Sequence, residues 1–519
     1  MLRPATAIAA RLTAELAPRA LWRRHRLFTI AVIISLIPRI LAALAFRPAL
    51  LTADSFVYMH DSVHSTLGLI RPAGYPRFLG LLGWLPQPLL MVTTLQHLMG
   101  IAIAVIVYGL LRHWGLPGWG ACLAALPTLF DSREIALESY ILPDTLYCLL
   151  VVSATALLLS RRTPQWWQCA AAALLLAYAA VTRGNGLLLV LVVAVFLLVR
   201  RVGWKAITTA AVAFAVPVGG YALAFHAAYG KFALTESDGV FLWSRTTSFA
   251  NCAVIKPPVK LRPLCPNLEK SVAPARPAPA WSVSALLHEP GPSDYLWASD
   301  VWWRHDTHPG INAYNNALAR EFAVRAIEAQ PLDYARVVAE NILLTFVATD
   351  RPQGDAYMTF TPGPRIASLP TYYQRYLREY AHTTGNTHAV RPYSYFVFLY
   401  QQPVVFPGLA FLIVLLAGLG FVIRDWRLFG GVQLLPWGLA AMSILTPALL
   451  TQSLYRYTIM AIPLACLAAG LGFATRRTRP RPAATAAAVG VASRPAAPHQ
   501  QLADAQSGRT AAGPADVEG

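Results

Sequence analysis

The feature that most constrains this 519-residue chain is a series of about ten apolar runs. A membrane-spanning helix needs roughly 20 mostly apolar residues, because the hydrocarbon core of a bilayer is about 30 Å thick. The predicted spans are Leu27–Phe46, Leu89–Leu111, Trp119–Phe130, Leu142–Ser160, Trp166–Val181, Leu187–Val199, Ala206–Ala228, Phe398–Ile423, Phe429–Leu450 and Tyr457–Ala474. Charged residues make up only 13% of the chain, against about 25% in soluble domains. A soluble fold could not cover so much apolar surface, so we predict an all-α polytopic membrane protein with about ten transmembrane helices.

Basic residues recur at alternate junctions between the apolar runs, and the chain carries a formal net charge of +18. The positive-inside rule places such arginine-bearing junctions in the cytoplasm. The residues at these junctions are Arg26, Arg112, Arg161, Arg162, Arg200, Arg201, Lys205, Arg424 and Arg427. We therefore predict a multi-pass protein of the cell membrane, expected to be a bacterial plasma membrane, with both termini cytoplasmic. This placement explains the positive charge without a nucleic-acid partner.

The polar segments divide the chain into five predicted regions. They are a basic cytoplasmic N-terminus at 1–26, an N-terminal transmembrane module with catalytic outer loops at 27–228, a mostly helical extracytoplasmic subdomain at 229–397, C-terminal transmembrane helices at 398–474 and a disordered cytoplasmic tail at 475–519. Residues 256–292 are rich in proline and predict an extended loop. Asn312–Ile327 and Leu332–Val347 have helical periodicity. Cys252 and Cys265 both lie in the predicted extracytoplasmic subdomain, where oxidising conditions favour a disulfide.

The first outer loop carries charged residues close to the predicted membrane surface, where charge is costly and usually functional. If Asp54–Ser65 is helical, Asp54, Tyr58 and Asp61 lie on one face, at i, i+4 and i+7. Asp54 either caps this helix or takes part in chemistry, and the sequence leaves both open. In the second case, a hydrogen bond from Tyr58 would orient the Asp54 carboxylate.

His60 and His64 share another face of the same predicted helix, at the i, i+4 spacing that can bind a metal. The sequence shows no glutamate between them and no third ligand nearby, so we favour an ordinary surface pair. No metal site is predicted, although a divalent metal stays open as a cofactor.

Three further outer segments carry candidate charges. The second outer loop holds Glu138 and, after a proline, Asp144, for which a helix N-cap is the structural alternative. Arg183 lies in a tight turn that also contains two glycines, and Arg456 precedes Tyr457 at the start of the last span. Arginine at this depth can reach a lipid phosphate. The chain has no P-loop, no GxGxxG between a strand and a helix and no GxSxG motif. This argues against an activity driven by a nucleotide bound on the cytoplasmic side.

In the order and sidedness of five motifs, the chain resembles the GT-C superfamily of integral-membrane glycosyltransferases, particularly the protein-mannosyltransferase and aminoarabinose-transferase type. The motifs are Asp54 with Tyr58, Arg71–Pro76, Glu138–Asp144, Thr182–Gly186 and Arg456–Tyr457. The likeness covers residues 27–230 well and 400–474 loosely.

The resemblance implies a hexosyl or pentosyl donor linked to polyprenyl phosphate, with its tail surrounded by membrane lipids. It also implies transfer with inversion to a glycan, lipid or protein acceptor on the outer face. It places the catalytic base at Asp54. The donor phosphate would be bound by Arg183 and Arg456, because its departing charge needs a fixed cation. The remaining substrate-binding candidates are Tyr58, Asp61, Arg71, Tyr75, Glu138 and Asp144.

A secondary transporter or a flippase for a lipid-linked substrate is the alternative. Such a protein needs ionisable residues near the bilayer midplane, and the candidates are Arg39, which can also snorkel outward, His97 and His226. A third possibility is a membrane scaffold without catalytic activity, which leaves the acidic outer loops unexplained.

Overall fold

The computed structural model describes residues 18–266, 292–298, 301–304, 308–347, 359–360, 369–383, 387–428, 430–452 and 455–478. Most of the predicted tail, most of the proline-rich loop and Phe429 lie outside these residues. The helices are α1 Pro18–Ala45, α2 Ala53–Val63, α3 Gly74–Gly80, α4 Pro88–His113, α5 Gly118–Phe130, α6 Ser132–Ser139, α7 Asp144–Leu159, α8 Trp166–Thr182, α9 Gly186–Val199, α10 Trp204–Tyr229, α11 Asp238–Thr246, α12 Cys252–Ile255, α13 Pro292–Leu296, α14 Ala313–Ala329, α15 Pro331–Val347, α16 Thr371–Ala381, α17 Tyr393–Gln401, α18 Gly408–Arg424, α19 Leu434–Leu450, α20 Tyr455–Ile459 and α21 Ile462–Thr478.

Each predicted span contains an apolar helix, which confirms the all-α polytopic fold. Four of these stretches are long and apolar enough to cross a membrane: Arg24–Ala45, Pro88–His113, Trp204–Tyr229 and Arg456–Thr475. Six shorter apolar helices correspond to the other predicted spans: α5, α7, α8, α9, α18 and α19. α8 packs along both α7 and α10, where its buried face is rich in alanine. Small side chains on that face let the helices approach closely.

The prediction of one continuous span at Phe398–Ile423 is wrong. α17 ends at Gln401 and α18 begins at Gly408, with Pro403 and Pro407 in the intervening segment. Proline has no backbone N–H to donate and its ring collides with the preceding turn, so the helix cannot continue through this segment. The break is held in place because the N–H of Phe406 donates to Asp131 Oδ2 over 2.9 Å.

A second hydrophobic cluster lies beyond α10 and is separate from the core of the apolar bundle. Val240 and Trp243 of α11 pack against Phe322 and Ala323 of α14. The disulfide between Cys252 and Cys265, with 6.1 Å between the Cα atoms, lies beside this cluster. The helical periodicity at 312–327 and 332–347 appears as α14 and α15, with Pro331 opening the second helix.

The residues after this cluster return to the beginning of the chain. α16 packs on α2, and α17 packs on α1. The two-residue strands β1 (Phe46–Arg47) and β2 (His388–Ala389) pair antiparallel just after α1. The loop between α1 and α4 is therefore enclosed by segments more than 300 residues later in the chain, and this loop carries the first candidate site residues.

Candidate active site

Three arginines and two aspartates form a continuous charge cluster where α2, α7, α8 and α20 meet. Arg71 Nη2 lies 2.5 Å from Asp54 Oδ1, and Arg456 Nη1 lies 3.6 Å from Asp54 Oδ2. Arg456 Nε lies 3.4 Å from Asp144 Oδ1, and Arg183 pairs with the same aspartate. The structure thus brings together five of the residues that the sequence nominates, from four separate segments of the chain.

Asp54 is not the cap of its helix. The N-cap of α2 is Thr52, whose hydroxyl accepts from the N–H of Ser55, while Ser55 Oγ accepts from the N–H of Thr52. This reciprocal pair satisfies the end of the helix. The Asp54 carboxylate therefore remains available to the two arginines, and the helix N-terminus favours its negative charge.

The capping alternative for Asp144 is also wrong. Pro143 occupies the N-cap position of α7 and makes no side-chain cap bond, so Asp144 is the first helical residue. Its side chain is 0% exposed, and its Oδ2 has no hydrogen-bond partner among the described residues. A buried carboxylate is tolerated because Arg183 and Arg456 compensate its charge.

Backbone contacts fix the relative positions of these segments. The N–H of Leu50 donates to the carbonyl of Ser139, and the N–H of Ile141 donates to that of Leu50. A Cβ added at Gly74 would lie 2.5 Å from the carbonyl oxygen of Val181. Only glycine permits this approach, which holds the loop carrying Arg71 against the end of α8 beside Arg183.

The cluster has unequal access to solvent. Asp54 is 20% exposed and Arg71 is 22% exposed, whereas Asp144, Arg183 and Arg456 are nearly or wholly buried. Burial lowers the pKa of the Arg71 guanidinium, but the Asp54 carboxylate, together with the hydroxyls of Tyr58 and Tyr457, leaves that pKa raised overall. With three cations and two anions, the cluster keeps one formal positive charge. It can attract an anion, and Asp54 is its one accessible carboxylate.

Aromatic rings line the cluster, and no motif in the sequence pointed to most of them. The guanidinium carbon of Arg183 lies 4.6 Å from the ring centre of Tyr457 and 5.8 Å from that of Tyr147. Such cation–π contacts hold the guanidinium group in place and leave its positive charge uncompensated. On α16, Tyr373 stacks on Phe56 of α2 with 5.0 Å between ring centres.

Tyr58 does not hydrogen-bond to Asp54, so the expected orienting bond is absent from the described structure. Its ring packs edge-on against Tyr75, with 5.2 Å between ring centres, and burial raises the pKa of Tyr58 to about 12. Tyr75 is fully buried, and its hydroxyl donates to Gln96 Oε1 over 2.7 Å. These contacts make both tyrosines part of the wall behind the cluster.

Asp61 lies away from the charge cluster. Its side chain is buried, its Oδ1 accepts a hydrogen bond from the Thr66 hydroxyl over 2.7 Å, and its Oδ2 has no partner among the described residues. Burial raises the pKa of this carboxyl. These contacts hold the Asp61 side chain inside the first loop. Its binding to substrate stays a prediction.

Glu138 belongs to a second, separate ion cluster. Arg39 donates to it through Nε over 2.9 Å and through Nη2 over 2.8 Å, and His97 Nδ1 lies 2.7 Å from Oε2. Glu138 is 0% exposed, and both of its oxygens are engaged. Arg39 therefore does not snorkel outward, as the sequence allowed, but points inward to a carboxylate 99 residues away.

One set of three described residues could hold a metal ion: His60, His64 and Glu379, whose ligand atoms lie within 4.8 Å of one another. α2 has 11 residues and is therefore about 16 Å long. His64 follows its last residue, whereas Asp54 lies in its first turn. This set is thus distinct from the charge cluster.

No protein-family model matches the chain, and no curated protein matches it. Two crystal structures of ArnT from Cupriavidus metallidurans align with it. The one bound to undecaprenyl phosphate has 14% identity and a TM-score of 0.33 over 86% of this chain and 77% of that chain. The apo structure has 15% identity and a TM-score of 0.31 over 86% and 76%. The function proposed below rests on the geometry of the charge cluster.

Proposed function

We propose that this chain is a GT-C-type membrane glycosyltransferase that moves a sugar from a polyprenyl-phosphate donor to an acceptor hydroxyl on the outer face of the membrane. The observation that carries the proposal is the charge cluster, in which one accessible carboxylate, Asp54, lies beside buried arginines at the edge of an apolar helical bundle.

Arg183 and Arg456 are the proposed site for the donor phosphate. Both are held from one side by Asp144, so their guanidinium groups are already oriented before a ligand arrives. Arginine binds phosphate oxygens through paired N–H donors and stays charged at any physiological pH. A polyprenyl tail would remain among the apolar helices while its phosphate reached this level.

Asp54 is the proposed general base. In the transfer, the acceptor oxygen bonds to the anomeric carbon as the bond from that carbon to the phosphate oxygen breaks, and Asp54 takes the acceptor proton. Polyprenyl phosphate leaves with its negative charge stabilised by the arginines. A single displacement of this kind inverts the anomeric configuration. Arg71, which is paired with Asp54, would hold the carboxylate in position.

The second ion cluster weakens the transporter alternative. Arg39 and His97 are two of the three ionisable residues on which that alternative depends, and both are bound to the fully buried Glu138. A transport pathway needs such groups to be accessible from one side of the membrane or the other. A flippase would need the phosphate-binding arginines but no base, which separates it experimentally from a transferase.

The proposal is tested with membranes that contain the full chain, incubated with a panel of radiolabelled polyprenyl-phosphate sugars. Asp54→Asn keeps the size of the side chain but removes the base. We expect it to lower the transfer rate by a factor on the order of 10²–10⁴ without loss of folded protein. Asp333→Asn makes the same chemical change on α15, outside the charge cluster, and should transfer normally. Near-normal transfer by Asp54→Asn, or no transfer by the wild type across the panel, would contradict the proposal.

A further inference from the structure

The far end of α2 carries a group of side chains that the proposed transfer does not use. His60 lies on α2, His64 follows its last residue, and Glu379 lies on α16. His64 Nε2 is 3.2 Å from Glu379 Oε2, and one ligand atom from each of the three residues lies within 4.8 Å of the others. The third group is 315 residues from His64 in the sequence.

We infer that His60, His64 and Glu379 form a binding site for a divalent transition metal, with Zn²⁺ the best fit. Two imidazoles and one carboxylate are a common zinc ligand set, and the fourth position would be filled by water. Metal–ligand bonds of about 2.0–2.2 Å in a tetrahedron place the ligand atoms roughly 3.3 Å apart. His64 and Glu379 already have this separation, and a small movement of the side chains brings in the third ligand.

Packing between the two helices holds these side chains in place. The His60 ring stacks on Tyr376 of α16 with 4.1 Å between ring centres, and it lies 4.5 Å from the His64 ring. Nδ1 of His60 is buried and has no hydrogen-bond partner among the described residues. A buried imidazole nitrogen without a partner is costly, and metal binding through Nδ1 would remove that cost.

Besides His64, one described side chain pairs with Glu379, and this pairing leaves one carboxylate oxygen for the metal. Arg375 Nε lies 3.5 Å from Glu379 Oε1, whereas His64 approaches Oε2. Arg375 is largely exposed, so this pairing is weak and screened by solvent. It would orient the carboxylate without blocking the oxygen that faces the histidines.

A metal at this position would join α16 to α2 at one end, while Tyr373 and Phe56 join the same helices nearer the charge cluster. The ion would therefore fasten the returning segment 371–381 over the first loop without contacting Asp54. The inference is independent of the proposed glycosyl transfer, because binding is measured without any sugar donor.

The test uses the purified full chain in lipid nanodiscs, carrying an affinity tag without histidine and stripped of metal with chelator. Zn²⁺ is titrated by calorimetry, and Co²⁺ is added in a parallel experiment for its visible absorption. We expect one Zn²⁺ per chain, and a tetrahedral Co²⁺ spectrum. His64→Ala and Glu379→Gln should each weaken binding at least about tenfold, whereas His382→Asn, at the end of the same α16, should not. Asn tolerates the left-handed backbone at that position.

A second measurement separates lost ligands from lost folding. Zn²⁺ should raise the thermal unfolding temperature of the wild type and of His382→Asn, but not that of Glu379→Gln, while the metal-free proteins unfold at similar temperatures. The inference is overturned if the wild type binds no stoichiometric metal, or if His64→Ala and Glu379→Gln bind Zn²⁺ as tightly as the wild type.

Discussion

At the scale of single residues, the local position of an acid did not decide its role. Asp54 and Asp144 both occupy the first turn of a helix, where capping is the ordinary explanation. The N-cap positions are occupied instead by Thr52 and Pro143. Both aspartates face arginines, but only Asp54 keeps contact with solvent. This difference assigns the proposed proton transfer to Asp54 and the orientation of the arginines to Asp144.

Asp61 gives a prediction about pH and stability. Burial raises the pKa of its carboxyl above the value of about 3.9 in an unfolded chain. Ionisation is then more costly in the folded state, so the free energy of unfolding falls as pH rises from about 4 through the raised pKa. Asp61→Asn keeps the acceptor for Thr66 but cannot ionise. We expect it to be more stable than the wild type at pH 7, by on the order of 1 kcal/mol.

Thermal unfolding of both proteins in detergent between pH 4 and pH 8 checks this. The stability difference should shrink as the pH falls toward 4, because protonation of the wild-type carboxyl removes the cost of burying its charge. A variant that is less stable at pH 7, or a difference that does not change with pH, would contradict the structural role. Loss of transfer with unchanged stability would favour the alternative that Asp61 binds substrate.

At the scale of helices, the Glu138 cluster joins three elements through one carboxylate. Arg39 comes from α1, His97 from α4 and Glu138 from α6. The approach is tight, because a Cβ at Gly100 of α4 would lie 1.7 Å from Glu138 Oε1. α6 is the helix that precedes Asp144, so this ion cluster supports the segment on which the proposed phosphate site depends.

Glu138→Gln should be strongly destabilising, because it leaves the Arg39 guanidinium buried without its countercharge. Removing one partner of a buried ion pair typically costs about 3–5 kcal/mol. We expect a lower yield of folded protein and a lower unfolding temperature in detergent. Replacing both Arg39 and Glu138 with leucine should recover part of the loss. If Glu138→Gln folds normally but does not transfer sugar, Glu138 binds substrate as the sequence suggested.

At the scale of the whole molecule, the helix ends form two chemically different surfaces. The charge cluster is built at the end where α2, α7 and α20 begin and α8 finishes. The opposite ends carry Arg112 at the end of α4 and Arg424 at the end of α18, together with the exposed Arg161 before α8. This segregation supports the proposal that the charge cluster faces outward and the basic ends face the cytoplasm.

Cysteine labelling checks this orientation in intact cells. The described free cysteines are buried, and Cys252 and Cys265 are joined, so the wild type should give a low background. Tyr314→Cys, on the exposed face of α14, should react with a membrane-impermeant maleimide from outside. Arg161→Cys should react only after the membrane is opened. The reverse pattern, or labelling of both from outside, would contradict the proposed topology.

Hydrophobic length located the ten apolar helices, apart from the break before α18, because it is a property of contiguous residues. The sequence also nominated all five members of the charge cluster, since charged residues at span ends are few. The partner of each charged residue depends on how distant helices pack. Nothing local indicates that Glu138 binds Arg39, 99 residues away, rather than a sugar hydroxyl, or that Glu379 completes a set with His60 and His64. The proline break before α18 is local, but its anchoring to Asp131 is not. Ion pairs and metal ligands depend on which helices pack together. Helix packing is determined by the total apolar surface that whole helix faces bury, and no short motif encodes it.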